Sequence, residues 1–383
     1  MVWEKEINEL NNRLSMIKKM GGEEGVRRQH ENGKLTVRER IDKIADPGSF
    51  NEHSALAGSA LYEDNALIDL KPYPRVIGTA KIDGKRVILD GGDFTVRGGA
   101  GERGHGSKPS SLKYATQWRL PLVRLLDAVG GSVRTFEQLG RTYLPDGPAT
   151  SMAVDLLNQV PVVSAVLGSV AGLPAIEACL CHFNVMVKGS SQVFAGGPPV
   201  VKAALGYDIT KEELGDHRSQ VFKSGVIDNL ADNEEEAFEM IKTFLSFMPP
   251  SVWKKPERIE TGDSPNRRDE ELLSSIPKDP KKRYDPYSIL GHVLDANSFF
   301  EIAPFYGSSR ITGLARANGY PVGVTINNPN RLGGSTDGAA GEKVMRLWRL
   351  CDTFHIPVVS FVDEPGFMVG MDAQNQGIVR AGA

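Results

Sequence analysis

Apolar side chains in the first 45 residues follow the spacing of amphipathic helices. Between residues 3 and 20 they recur every three or four positions, and Gly21-Gly22 ends the run. These apolar positions are Ile7, Leu10, Leu14, Ile17 and Met20. Residues 35–44 continue with charge along one face, before a turn cluster at residues 46–49. The pattern predicts an N-terminal helical arm that packs on a neighbour or on its own core.

Further along the chain the spacing changes from helical to alternating. Residues 76–89 alternate across the turn pair Asp83-Gly84, which predicts a β-hairpin. Two largely apolar runs follow at residues 120–127 and 161–167, each after a helix-like stretch. Runs of this length and composition are typical of strands buried on both faces of a sheet. The region therefore predicts an α/β structure.

Glycine-rich turns follow these predicted strands. Gly130-Gly131 comes after the first apolar run, and residues 168–174 end the second. Gly196-Gly197 opens a further helix with Pro at its first positions. Turns of this kind present backbone N–H groups to whatever lies over the edge of the sheet. They are the candidate ligand-binding features of the chain.

The chain also repeats itself. Sliding the N-terminal half along by 235 positions brings a series of landmarks into register, and after Lys108 and Lys343 the offset becomes one residue longer. The matched pairs are Arg75 with Arg310, Gly78 with Gly313, Ala80 with Ala315, Gly84 with Gly319, Val87 with Val322, Gly98-Gly99 with Gly333-Gly334, Pro121 with Pro357, Asp127 with Asp363 and Gly130 with Gly366. The repeat predicts two copies of one β-β-α unit.

The repeat also sets the expected domain organisation. Residues 249–285 lose periodicity and are rich in Pro, Lys, Arg, Asp and Ser, which is typical of a linker. We therefore expect an N-terminal domain at residues 1–248 and a C-terminal domain at residues 286–383. Residues 148–230 have no counterpart before Ala383, so we expect the second domain to be incomplete at its C-terminus.

Composition narrows the function classes. Among the 383 residues, 45 basic side chains are balanced by 48 acidic ones, and the net charge of −3 favours neither nucleic acid nor an anionic membrane as partner. Three cysteines suit a reducing compartment and favour buried thiols over a metal site, so no metal is predicted. No secretory signal, transit peptide or run of 18 apolar residues is present. We expect a cytoplasmic protein.

Side-chain motifs for catalysis are scarce. The dinucleotide-type match at residues 99–104 is favoured as a chance match, because it lies deep in a loop and is not repeated in the second copy. His105 and His217 are isolated, and the recurrence of Asp127 and Asp363 favours a role in orienting turns. The recurring features are glycine-rich turns that expose backbone N–H groups, and these point to stabilisation of an oxyanion at a thioester or amide carbonyl.

Several segments resemble one family, the carboxyltransferase (beta) subunits of biotin-dependent acyl-CoA carboxylases such as propionyl-CoA, acetyl-CoA and methylcrotonyl-CoA carboxylase. The resemblance covers nearly the whole chain in order. It rests on residues 93–99, 105–108, 168–175, 194–206, 212–215, 361–367 and 377–383.

The resemblance implies two crotonase-like ββα-superhelix domains in a hexamer. Active sites then lie between the N-terminal domain of one subunit and the C-terminal domain of another. The implied reaction transfers a carboxyl group from carboxybiotin to the α carbon of an acyl-CoA. In this family carboxybiotin is thought to release CO2, and the resulting biotin enolate takes the α-proton while backbone donors hold both oxyanions.

The resemblance also assigns residues. Gly172, beside Leu173, belongs to the pair on the acyl thioester, and Gly382 and Ala383 form the pair on the biotin carbonyl. The turns at Gly130-Gly131 and Gly196-Gly197 line the coenzyme A channel. Two departures matter here: Leu173 replaces a second Gly, which narrows the pocket, and residues 127–132 form a turn one residue longer than the family pattern.

Three functional hypotheses stay open. The first is a carboxyltransferase subunit that works with a separate biotin carboxylase and biotin carrier, since the chain has no Met-Lys-Met biotinylation site. The second is the corresponding subunit of a biotin-dependent decarboxylase, which runs the transfer in reverse. The third is an inactive fragment or scaffold.

Overall fold

The computed structural model describes residues 2–53, 55–100, 109–131, 140, 147–279 and 281–383. The helices are α1 (Glu4–Lys18), α2 (Gly22–Glu31), α3 (Val37–Ile44), α4 (Ser111–Trp118), α5 (Gly147–Leu156), α6 (Leu173–Cys179), α7 (Pro198–Leu205), α8 (Lys211–Gly215), α9 (His217–Gln220), α10 (Glu234–Phe247), α11 (Pro286–Val293), α12 (Gly338–Thr353), α13 (Met371–Asn375) and α14 (Ile378–Gly382). The strands are β1 (Asn51–His53), β2 (Gly58–Glu63), β3 (Ala66–Pro72), β4 (Arg75–Ile82), β5 (Lys85–Gly92), β6 (Leu122–Ala128), β7 (Val162–Ala171), β8 (Phe183–Val187), β9 (Gln192–Phe194), β10 (Asn229–Ala231), β11 (Phe300–Glu301), β12 (Arg310–Ala317), β13 (Tyr320–Asn327) and β14 (Val358–Phe361).

The larger sheet has the order β1-β4-β5-β6-β7-β8-β10, with β9 paired to β7. The predicted hairpin is confirmed as β4 and β5, which pair antiparallel around Asp83-Gly84. From β5 onward the neighbours β6, β7, β8 and β9 are parallel, so their carboxyl ends meet at one edge. The two apolar runs form β6 and β7, whose residues are almost all buried. The α/β class is therefore confirmed.

A second sheet has the order β11-β12-β13-β14 and copies the first hairpin. Both strands of the β12–β13 hairpin begin and end 235 residues after those of β4–β5. The turn pairs also match: Asp83 and Asn318 have φ of 48° and 50°, and Gly84 and Gly319 both have φ of 77°. These shared conformations confirm the internal repeat.

The described chain divides into two compact units. One contains residues 1–217 and 230–242, and the other contains residues 218–229 and 243–383. The segment expected to be a linker belongs to the second unit. Its Arg267 donates to the backbone carbonyls of Gly291, His292 and Leu294 at 2.8–3.0 Å. The domain boundaries 1–248, 249–285 and 286–383 stay a prediction.

Helices α1 and α3 lie within the segments that the sequence predicts to be helical, whereas α2 was not predicted. Glu39 and Thr36 form a reciprocal capping box at the start of α3, which satisfies backbone N–H groups that would otherwise lack partners. The apolar face of α3, including Val37 and Ile41, is buried, and a Cβ atom added at Gly91 of β5 would lie 2.5 Å from Val37. In the described part of the chain, no helix combines the length and hydropathy needed to cross a membrane.

Candidate active site

Three glycine-rich turns follow β6, β7 and β9 at the shared carboxyl edge of the first sheet. A Cβ atom added at Gly130 would lie 2.7 Å from the carbonyl oxygen of Ala171 and 3.8 Å from Cα of Gly172. One added at Gly172 would lie 4.0 Å from the carbonyl oxygen of Ala195. The structure therefore brings together Gly130, Gly172 and the segment that leads into Gly196-Gly197, while their assignment to the thioester site and the coenzyme A channel stays a prediction.

Gly172 has a conformation that side chains oppose. Its φ of 65° and ψ of −129° lie in a region open essentially to glycine alone. Its N–H donates to the carbonyl of Phe194 at 3.3 Å, and its carbonyl accepts from Ala175 and Ile176 at 3.0 and 3.3 Å. The N–H and the carbonyl of Gly172 therefore both form hydrogen bonds within the chain, and its backbone conformation sets the direction in which α6 begins.

Leu173 is the first residue of α6, and within the described residues its N–H donates to no acceptor. Pro174 follows and has no N–H of its own, so Leu173 carries the first backbone donor of the helix. Its side chain is 41% exposed and that of Ile176, one turn later, is 52% exposed. The turn after β7 therefore offers a hydrogen-bond donor beside an aliphatic surface.

The third turn has a similar character. Gly197 is the N-cap of α7, and its carbonyl accepts from Val200 and Val201 at 2.9 and 3.2 Å. Among the described residues the N–H groups of Gly196 and Gly197 donate to no acceptor. Val200 is exposed, as is Val129 beside Gly130 and Gly131. The turns after β7 and β9 therefore combine backbone N–H donors with exposed aliphatic side chains.

Behind the Gly130 turn lies an ion cluster that the sequence analysis missed. Asp127, at the end of β6, is fully buried and accepts from Lys34 at 2.9 Å, Arg40 at 3.1 Å and Gln29 at 2.9 Å. Arg40 also binds Glu234 through two hydrogen bonds of 2.7 and 2.8 Å. Burial opposes the charge on Arg40, but Glu234 and Asp127 outweigh it and raise its pKa.

This cluster joins α2, α3 and α10 to the end of β6. A Cβ atom added at Gly168 would lie 2.0 Å from an oxygen of Asp127, so glycine is required there. The charged partners of Asp127 lie more than 85 residues away in sequence, which is why no local pattern could reveal them. Asp127 orients the strand end, in keeping with the role favoured from the repeat.

Gly382 and Ala383 lie in the second unit, at the end of α14. A Cβ atom added at Gly382 would lie 2.4 Å from the ring of Phe367, and α14 packs on α12 through Ala381 at Gly341. The N–H of Ala383 donates to the carbonyl of Arg380 at 3.3 Å. Their proposed role as donors to a biotin carbonyl stays a prediction.

The remaining candidates are dispersed. His105, Lys108 and most of the dinucleotide-type match lie outside the described residues. Asp363 is exposed and accepts from the Tyr284 hydroxyl at 2.7 Å, so it does not share the buried ion pairs of Asp127. Across the described ranges, no group of three or more His, Cys, Asp or Glu side chains is arranged to hold a metal ion.

Residues 28–383 match the family model described as a carboxyl transferase domain. The chain belongs to the carboxyl transferase family. A propionyl-CoA carboxylase carboxyltransferase subunit from Haloferax mediterranei is 34% identical over 389 residues, which cover 100% of this chain and 74% of that protein. The methylmalonyl-CoA decarboxylase subunit alpha from Veillonella parvula is 33% identical over 388 residues, covering 99% of this chain and 74% of that protein.

A solved structure agrees with these relatives. The transcarboxylase 12S structure, described as a hexamer assembly with methylmalonyl-coenzyme A and methylmalonic acid bound, superposes with a TM-score of 0.88 at 28% identity. The match covers 98% of this chain and 73% of that one. The expected family, the crotonase-like α/β fold and the carboxyltransferase class of enzyme are confirmed.

Proposed function

We propose that this carboxyltransferase moves a carboxyl group from carboxybiotin, carried on a separate protein, to the α carbon of an acyl-CoA. The names of the relatives support the substrate class, because they act on propionyl-CoA or methylmalonyl-CoA. The observation that carries the proposal is that three glycine-rich turns meet at one edge of the sheet, and that two of them carry N–H groups, at Leu173 and Gly196-Gly197, without an acceptor among the described residues. A biotin carboxylase, a biotin carrier and a hexameric assembly are the proposed partners, and the cytoplasm is the proposed compartment.

The proposed roles follow from the contacts. The thioester oxygen accepts from the N–H of Leu173, while Gly172 supplies the conformation that aims this N–H. Gly130-Gly131 and Gly196-Gly197 line the coenzyme A channel. Gly382 and Ala383 serve the biotin side.

Removal of the α-proton places negative charge on the thioester oxygen. A preorganised N–H donor at that oxygen is worth on the order of 3 kcal/mol in the transition state. No Asp, Glu, His or Lys occurs at residues 128–131, 172–176 or 195–200. Carboxybiotin, when bound, supplies both the carboxyl group and, once that group has left, the base. The chain itself contributes binding, orientation and charge stabilisation.

The test removes the donor without removing the side-chain position. Leu173→Pro takes away the N–H at the first helical position, where proline is tolerated, whereas Leu173→Ala keeps the N–H. The assay is transfer of the carboxyl group from methylmalonyl-CoA or malonyl-CoA to biocytin. We expect Leu173→Pro to lower kcat by roughly 100-fold or more, and Leu173→Ala to stay within about 10-fold of wild type.

Two outcomes would overturn the proposal. If the folded wild-type protein transfers no carboxyl group to biocytin, the substrate pair is wrong. If Leu173→Pro is as active as Leu173→Ala, the thioester site lies elsewhere.

A second candidate is the reverse reaction, in which the acyl-CoA is decarboxylated. The similarity to the Veillonella parvula decarboxylase subunit favours it. The complex purified from its source separates the two. Carboxylation of propionyl-CoA with ATP and bicarbonate supports the carboxylase, while decarboxylation of methylmalonyl-CoA alone supports the decarboxylase.

A further inference from the structure

A row of polar residues crosses the buried parallel sheet of the first unit. Asp90 on β5 pairs with Arg124 on β6, which pairs with Ser164 on β7, which pairs with Asn184 on β8. All four are at most 2% exposed. Strands buried on both faces are normally apolar, and buried polar groups are costly unless they are bonded. We call these four residues the polar row.

Two members of the polar row, Arg124 and Asn184, bind the C-terminal end of α6. Arg124 donates through one nitrogen to the carbonyls of Glu177 and Leu180, both at 3.1 Å, and Asn184 donates to the carbonyl of Ala178 at 2.9 Å. The last carbonyls of a helix have no partner within the helix and carry partial negative charge. A buried guanidinium at this end therefore fixes where α6 stops.

The side chain of Glu177 is held as well. Arg75 binds its carboxylate at 3.2 and 3.3 Å and binds Asp90 of the polar row at 2.8 and 2.9 Å. The Ser111 hydroxyl donates to the same Asp90 carboxylate. Burial alone would raise the pKa of Glu177, but Arg75 and Arg124 hold it below its usual value. Glu177 is thus an ionised anchor between α6 and the sheet.

The anchored end and the proposed donor belong to the same short helix. With seven residues at 1.5 Å each, α6 is about 10 Å long. We propose that Arg124 and Glu177 are positioning residues, which hold α6 so that the N–H of Leu173 faces the thioester oxygen. The inference rests on the proposed function of Leu173. Its physical basis is that a displacement of about 1 Å in a reacting group costs on the order of 100-fold in rate.

The experiment compares Arg124→Met with two reference variants. Arg124→Lys keeps a cation that can donate to one or both carbonyls of α6. Arg316→Met is the matched control, because Arg316 is also buried and donates to carbonyls of Gly319 and Ser246, but in the second unit. Should Arg124→Met fail to fold, Glu177→Gln takes its place, since it keeps the shape of the side chain and removes the ion pair.

Two measurements separate positioning from mere stabilisation. In carboxyl transfer from methylmalonyl-CoA to biocytin, we expect Arg124→Met to lower kcat at least about 10-fold with KM nearly unchanged. Arg124→Lys should recover part of the loss, and Arg316→Met should keep kcat within about twofold. In hydrogen exchange of the native protein, Arg124→Met should speed exchange at residues 173–180 and leave β6 and β7 protected.

The outcomes are distinct. Unchanged kcat in folded Arg124→Met or Glu177→Gln, or a loss matched by Arg316→Met, would show that the polar row only stabilises the unit. A wild-type protein without transfer activity would sink the proposed function instead. The exchange pattern would then still decide whether the polar row holds α6, because unchanged exchange at residues 173–180 overturns that part too.

Discussion

The two copies of the hairpin have the same backbone conformation but carry different side chains at equivalent positions of the sheet. The strands, turns and positive-φ glycines of β4–β5 recur in β12–β13 at a constant offset. In the first copy the residues Ile77, Asp90 and Arg124 stand side by side, whereas the second copy has Thr312, Thr325 and Ser360 at the equivalent places. The charged residues Asp90 and Arg124 thus correspond to the hydroxyl-bearing residues Thr325 and Ser360.

This difference matches the hydrogen bonds that the side chains make in each sheet. In the first copy Arg124 donates to carbonyls of α6, and Arg75 joins Glu177 of α6 to Asp90. In the second copy Thr312 donates to the carbonyl of Ile302 at 3.0 Å, a local contact beside its own strand. The repeat thus preserves local backbone geometry, while the buried side chains at equivalent strand positions differ with the contacts that each sheet makes.

The equivalent arginines test this comparison most strongly. Arg75 binds two carboxylates, whereas Arg310 binds Glu364 together with the neutral side chains of Asn327 and Thr336. We expect Arg75→Met to cost about 4 kcal/mol of unfolding free energy, because it removes the salt bridge of the buried Asp90 carboxylate. Arg310→Met should cost about half as much. Denaturant unfolding of both variants measures the difference, and equal losses would refute it.

Substitution of the turn glycines should have an intermediate effect on the free energy of unfolding, and here the second copy should lose more stability than the first. A Cβ atom added at Gly319 would lie 1.8 Å from the carbonyl oxygen of Ile259, whereas a Cβ atom added at Gly84 would have no described neighbour within 4 Å. Both have φ of 77°, so alanine is strained at either place. We expect Gly319→Ala to cost about 3 kcal/mol and Gly84→Ala about 1 kcal/mol. Thermal or denaturant unfolding checks the ranking, which a larger loss in Gly84→Ala would reverse.

The smallest expected effect is on pH dependence. Since the folded-state pKa of Glu177 lies below its usual value of 4.5, its stabilisation is present above about pH 4.5 and is lost as the pH falls through the folded-state pKa. Glu177→Gln should therefore flatten the acid side of the stability profile by about 1 kcal/mol or less. Unfolding measured from pH 7 to pH 3 tests this. A variant profile parallel to wild type would show that Glu177 contributes nothing to it.

Much of the fold followed from local patterns. The hairpin turns at Asp83-Gly84 and Asn318-Gly319 require positive φ, which Asp, Asn and Gly tolerate, so their positions were readable without a structure. The apolar runs of β6 and β7 were readable as buried strands for the same kind of reason. The start of helix α12 is harder to read, because the first turn, which begins at Gly338 behind an Asp337 cap, consists of small residues without a helical apolar spacing.

The sequence alone therefore determined the repeat, the family and the glycine turns, because these depend on residues close together along the chain. Only the tertiary structure showed that the N–H of Gly172 donates to Phe194, whereas that of Leu173 has no acceptor among the described residues. It alone also revealed that Arg124 and Glu177 meet at the end of α6, and that Arg40 joins Asp127 to Glu234. These contacts link residues 53 to 194 positions apart, and such partners are chosen by packing, not by local spacing.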